Sequence, residues 1–272
     1  MEELLVTLEK EIEQLRKDGK ILEVLPLFKE FLDLNKKIYG ENSDQVIMIL
    51  NDSGGLLRYA GRYDEALGNL LEAKSVIEKK YGMNNAEYGT CLLNLAELYR
   101  FMNEYEKSES LFKQTIKIYK ENNISGFLYA SACNNLGLLY QNKGQYEQAL
   151  ELHIKSLGIL KELPEHELEY GTTLNNLVEP YKRLGEREKA ENCILESLEI
   201  FEKIVGKNHS LYSAGINNQA VIYYENKEYE KALGLFEESL IICEKTFGKN
   251  SSSYKNLEKN VMLTKSKIEE KI

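Results

Sequence analysis

The chain has 272 residues, 43% apolar and 29% charged, with 35 basic against 44 acidic side chains and a net charge of −9 at pH 7. That is enough apolar material for a sizeable core, and the acidic balance excludes a protein that binds nucleic acid by neutralising phosphates with Lys and Arg. No apolar run approaches the ~18 residues of a membrane span, and the opening MEELLVTLEK lacks the basic start and apolar stretch of a signal peptide.

In chain order, residues 2–17 read as one amphipathic helix carrying Leu4, Leu5, Leu8, Ile12 and Leu15. A short motif then recurs: faintly as GKILEV from Gly19, then as GRYDEA (61–66), NEYEKS (103–108), GQYEQA (144–149), GEREKA (185–190) and KEYEKA (227–232). The five clear copies start 42, 41, 41 and 42 residues apart, and Tyr88, Tyr129, Tyr170, Tyr212 and Tyr254 keep the same period. Two markers with one period define a repeat. With only three prolines and abundant Leu, Glu and Lys, each unit reads as two helices.

The first helix of a pair is typified by NNLGLLYQNKG (134–144) and the second by ALELHIKSLGIL (149–160). Positions 61, 103, 144, 185 and 227 should turn the chain between them, and Gly40, Gly82, Gly206 and Gly248 should stop the second helices. The loops 121–129 and 161–169 lack that glycine stop. Gly54, Ala96, Gly137, Val178 and Ala220 on first helices, with Ala73, Thr115, Ser156, Ser197 and Ser239 on second ones, allow close approach, while Tyr99, Tyr140, Tyr181 and Tyr223 fill larger gaps. The expectation is one all-α solenoid over 1–272 of about thirteen helices, with repeats near 4–45, 46–88, 89–129, 130–170, 171–212 and 213–254 and a Lys-rich capping helix at 255–270.

These residues resemble the tetratricopeptide repeat, in the roughly 42-residue version found in kinesin light chain and many bacterial proteins. The pattern N-L-x-x-x-Y-x-x-x-G-x-Y-x-x-A is carried by NNLGLLYQNKGQYEQAL (134–150) and NNLVEPYKRLGEREKA (175–190), and Pro26 matches a proline early in the second helix. GKNHSLY departs from it, with Ser210 where the family often has proline after His209. The resemblance implies a right-handed superhelix whose first helices line a concave groove for a peptide of another protein. It implies that asparagines of the motif grip the peptide backbone.

The chain itself shows an asparagine ladder in those helices: Asn94, Asn135, Asn176, Asn218 and Asn260, with Asp52 as a sixth rung. A second file runs Asn51, Asn134, Asn175 and Asn217, broken by Leu93. An amide offers both donors and an acceptor to a peptide bond, and asparagine is a mediocre helix former, so its recurrence needs a reason. The competing reason is that these amides merely bridge adjacent helices.

One turn on, Arg58, Arg100, Lys182 and Arg183 form a candidate positive strip that would attract acidic segments or a peptide carboxylate. The alternative is ordinary solvated helix ends offsetting the helix dipole. Pro180, inside a first helix, should free the carbonyl of Asn176, as a functional kink or a tolerated bend. Gly54 has a packing role, whereas Gly55 would face the groove.

His153 stands where other repeats place Phe28, Leu70, Phe112, Ile194 and Phe236, and reads as core. Cys91, Cys133, Cys193 and Cys243 show no CxxC spacing, which predicts reduced thiols in the cytoplasm and no zinc site. No nucleotide, hydrolase or metalloprotease motif is present, so no cofactor is expected. The leading reading is a non-enzymatic interaction scaffold, monomeric given its net charge, with a protein or peptide ligand. The alternative is a sensor of signalling peptides of the kind built on this repeat in bacteria.

Overall fold

The computed structural model describes residues 1–18 and 20–270, so the turn copy expected at Gly19 lies outside the described residues. Among the described residues the chain forms thirteen α-helices, one 3-10 turn at Pro164–His166 and no strand. The first helices of the pairs are α1 (Glu2–Lys17), α3 (Asp44–Tyr59), α5 (Ala86–Phe101), α7 (Phe127–Asn142), α9 (Glu167–Arg183), α11 (Ser210–Glu225) and α13 (Ser252–Glu269). The second helices are α2 (Ile21–Tyr39), α4 (Tyr63–Tyr81), α6 (Tyr105–Glu121), α8 (Tyr146–Leu160), α10 (Arg187–Ile204) and α12 (Tyr229–Phe247). No helix is long and apolar enough to cross a membrane among the described residues. The helices group into two compact units, Met1–Leu139 and Tyr140–Ile272, whose boundary falls inside α7 rather than in a linker.

The turn within each pair is set by one left-handed residue. Gly61, Asn103, Gly144, Gly185 and Lys227 all take positive φ, between 61° and 80°. Each turn closes with the next amide reaching back five residues, as in Arg62 N–H to the Leu57 carbonyl and Glu104 N–H to the Tyr99 carbonyl, both 2.9 Å. This is the double-bonded helix stop that satisfies orphan carbonyls. The stops expected at Gly40, Gly82, Gly206 and Gly248 are also left-handed. In the two loops expected to lack a glycine stop, Asn123 (φ 55°) and Gly126 (φ 74°) make the first, and the 3-10 turn makes the second. His209 caps α11, its Nδ1 accepting from Leu211 N–H at 3.2 Å.

The repeat-equivalent small positions are buried. Ala73, Thr115, Ser156, Ser197 and Ser239 are each fully buried, and an added Cβ at Gly54 would lie 2.6 Å from Leu70. Gly89 and Gly171 are equally tight, against Tyr119 and Ile200, at a second small position not singled out from the sequence. Gly55, one residue from Gly54, meets nothing within 4 Å. Gly54→Ala is therefore expected to destabilise by about 1–3 kcal/mol through overpacking, while Gly55→Ala stabilises by about 1 kcal/mol through helix propensity. Thermal melts of the two variants should move in opposite directions.

The helices at either end bury opposite halves of the repeat pattern. In α5 one face, Tyr88, Cys91, Leu95 and Leu98, is buried, and so are Gly89, Leu92 and Ala96 beside it. Cys91 marks the first face as turned to the preceding second helix, its thiol lying 3.5 Å from the Leu70 carbonyl. Ala96 marks the other as turned to its own partner, its carbonyl accepting from Ser108 at 2.7 Å. Helix α13 buries only the first set, Tyr254, Leu257, Val261 and Thr264, and carries Lys255, Glu258, Met262 and Lys265 at the second. Helix α1 buries Leu5, Leu8 and Ile12, the second set, with Thr7, Glu11 and Gln14 exposed at the first. Leu4, expected in the buried stripe of α1, belongs to that outer set and is 47% exposed.

Candidate peptide-binding face

The asparagine files meet each other across successive first helices. Asn94 Nδ2 donates to Asn51 Oδ1 at 3.4 Å, Asn218 to Asn175 Oδ1 at 2.9 Å, and Asn260 to Asn217 Oδ1 at 3.4 Å. A ladder residue of one repeat thus reaches the second-file residue of the repeat before it. Asn134, Asn135 and Asn176 are half-buried like the others. Asp52, the sixth rung, is exposed and pairs with Arg16 at 3.0 Å. Bridging uses one donor and one acceptor of each amide pair and leaves the remaining capacity to the face itself.

The cations expected to form a positive strip are instead tied into ion pairs. Arg58 and Arg100 both bind the buried carboxylate of Glu97, at 3.2 and 3.0 Å. Arg58 is itself buried, stacked 4.7 Å from the centre of the Tyr59 ring and 5.1 Å from that of Phe101. Burial pushes the Glu97 carboxyl up, but Arg100 and Arg58 outweigh it and hold the group below the usual carboxylate range. Lys182 lies between Glu179 (2.8 Å) and Glu225 (3.0 Å), and Arg183 pairs with Glu179 at 2.6 Å. The expected attraction for acidic segments loses its basis, because neighbouring carboxylates compensate the charge. Sequence reasoning missed Glu97: Gly55 and Leu138 hold its position in the flanking repeats.

Arg16, Arg58, Gln141 and Lys182 share one register of α1, α3, α7 and α9, and each reaches the following first helix: Asp52, Glu97, the Asn176 carbonyl and Glu225. Arg100, at the same register of α5, pairs with Glu97 of its own helix. The other four act as struts between repeats. The Gln141 strut answers the question posed by Pro180. That proline has no N–H for the Asn176 carbonyl, and Gln141 Nε2 donates to the oxygen at 2.8 Å. The same Nε2 lies 2.7 Å from Nε2 of fully buried His153. Two hydrogens on one amide nitrogen thus serve two acceptors. Gln141→Leu should cost about 1–3 kcal/mol by orphaning these groups. The cost should be smaller in a Pro180→Ala background, where the backbone N–H gained by the substitution takes the Asn176 carbonyl. A double-mutant cycle on urea midpoints should read a coupling of about 1 kcal/mol.

In the first unit the ladder borders a cleft of about 460 Å³ between α3 and α5, lined in part by Met48, Asn51, Asp52, Glu87, Thr90 and Asn94. In the second unit a crevice of about 280 Å³ between α11 and α13 is lined by Asn217, Asn256 and Asn260 over Ser213 and Ser239. All four cysteines are buried thiols. Burial pushes Cys91 up to about 12 and Cys193 to about 11, which makes them poor nucleophiles.

The model of the tetratricopeptide repeat matches residues 45–121, 128–203 and 169–245, well over half of the chain. The chain belongs to the tetratricopeptide repeat family. Among curated proteins it is similar to the RxLR effector protein SFI4 of Phytophthora infestans (strain T30-4), 29% identical over 101 residues. That match covers 32% of this chain and 30% of the effector's own length. Among solved structures, NprR in complex with its cognate peptide NprX superposes with a TM-score of 0.69 at 20% identity, over 99% of this tetratricopeptide repeat chain and 75% of NprR. The nearly identical repeats of a putative kinesin light chain from Podosopora anserina give a TM-score of 0.53 at 16% identity, over 73% of this chain and 95% of that one. At such identities the likeness speaks for the fold.

Proposed function

We propose that this tetratricopeptide repeat chain is a non-enzymatic interaction scaffold that binds a peptide segment of a partner along the asparagine-bearing face of its first helices. The observation that carries this reading is the cleft of the first unit, where Asn51, Asp52 and Asn94 converge on a space of about 460 Å³. Asparagine contacts to peptide backbone are indifferent to side chains, so specificity falls to the neighbours of the ladder. The bridges between asparagines hold the amides in fixed orientation before a ligand arrives, which lowers the entropy lost on binding.

The test is a pull-down from native cell extract comparing the wild type with an Asn94→Ala/Asn135→Ala/Asn176→Ala variant of unchanged helicity by circular dichroism. A protein retained only by the wild type supports the face. Equal retention by both moves the interface to the second helices or the end helices. A second reading, a sensor of a small signalling peptide, is favoured by the match to NprR over 99% of this chain, because that structure holds its peptide NprX. It expects the thermal melt to rise with a short peptide and no protein to be retained.

A further inference from the structure

The cleft of the first unit differs in chemistry from the rest of the ladder. Each charged side chain lining it is an acid, Asp44, Asp52 or Glu87, and all three are exposed. Glu87 makes no ion pair among the described residues. Asp44 is paired with Lys80 at 2.7 Å and bonded to the Tyr81 hydroxyl, and Asp52 is paired with Arg16. Those two cations stand outside the lining, with their side chains 36% and 48% exposed. Exposed pairs of this kind contribute about 0–1 kcal/mol, so an incoming cation can displace or share them at little cost.

A second observation concerns Met48. The equivalent positions of the following first helices hold Thr90, Ser131, Thr172, Ala214 and Asn256, all small or polar. Only the first unit places a large apolar side chain there, and it stands 56% exposed in the cleft beside buried Ile47 and half-buried Leu128. The packing of α3 does not require it, because Met48 is not among the residues that α3 buries. An exposed, flexible thioether suits an apolar ligand side chain of adaptable shape.

We propose that the first unit's cleft selects an extended peptide with a basic side chain next to an apolar residue. The inference rests on the peptide-binding reading above and adds its specificity. Asn51 and Asn94 hold the peptide backbone, Met48, Ile47 and Leu128 take the apolar side chain, and Glu87 with Asp44 takes the positive charge. A nucleic acid or an anionic membrane is repelled by the same three carboxylates. The charge chosen is opposite to the one that Arg58 and Arg100 suggest in sequence, because Glu97 has already engaged them.

The experiment is affinity selection from a random heptapeptide library with acetylated amino termini, run on the full chain and on an Asp44→Asn/Glu87→Gln variant. Both substituted side chains are exposed, and circular dichroism checks that the variant folds. Lys and Arg should be enriched at least threefold over the starting library beside an apolar residue, and the enrichment should vanish with the double variant. A labelled peptide taken from the wild-type selection should bind the variant at least tenfold more weakly by fluorescence anisotropy, and Met48→Ser should relax the apolar preference alone. Enrichment without a basic bias, an acidic bias, or a basic bias that survives in the double variant overturns this inference and leaves peptide binding standing. Failure of every peptide to be enriched overturns the peptide-binding reading together with it.

Discussion

Taking the protein from pH 7 to pH 5 is expected to remove about 2 kcal/mol of stability through His153 alone. Burial of the imidazole, with no carboxylate driving the shift, pulls its folded pKa down to about 3 from an ordinary 6.5. The folded state therefore refuses a proton that the unfolded chain accepts. Below pH 6.5 the unfolded state binds more protons, so stability falls with pH at up to about 1.4 kcal/mol per unit, and the loss levels off near pH 3. The hydrogen bond makes the same demand: Gln141 Nε2 is a donor, so His153 Nε2 must stay unprotonated to accept. His153→Phe places at this position the residue found in α2, α6 and α12. Urea unfolding of both proteins at pH 7 and pH 5 should show the variant losing about 2 kcal/mol less than the wild type over that interval. Equal losses would mean that the imidazole titrates near its ordinary value.

Glu97→Ala should destabilise the first unit by about 3–5 kcal/mol, the cost of leaving buried cations without their anion. Arg58 is 7% exposed and Glu97 5% exposed, so water cannot replace the lost carboxylate. Arg58 Nε is already without a hydrogen-bond partner, which leaves the guanidinium little to fall back on. Replacing all three charges together, as Arg58→Met/Glu97→Leu/Arg100→Met, should instead be near neutral, since desolvating the triad offsets most of its attraction. A thermal melt of the single and triple variants separates the two effects. A loss below about 1 kcal/mol for Glu97→Ala would show that solvent reaches the triad and screens it.

The fold was legible because two periodicities coincide. The repeat places a turn residue wherever a first helix must end, and apolar residues at helical spacing place the core. Asn103 and Lys227 take the same left-handed turn as the glycines without being glycine, which the alignment of repeats showed and composition could not. The asparagine ladder was legible as a row, with bridging between helices as one reason for it, but the pairing was not, because the row alone does not fix which amide faces which. Arg58 and Glu97 are 39 positions apart and belong to different rows of the pattern, so only the stacking of α3 on α5 reveals their pairing. The cleft depends on Met48 and Glu87, at positions where the repeat holds no constant residue and where its regular rows drew no attention.

The half-buried pattern of α13 also bears on self-association. Where an interior first helix offers Leu92, Ala96 and Tyr99 to its partner, α13 offers Glu258, Met262 and Lys265. A second molecule presenting a complementary helix would have to strip water from both charges to dock there, so this face discourages open-ended polymers without any bulky obstruction. The same three positions are the handle by which the array could be lengthened. Glu258→Leu, Met262→Ala and Lys265→Tyr would restore an adhesive edge onto which another helix pair could be grafted.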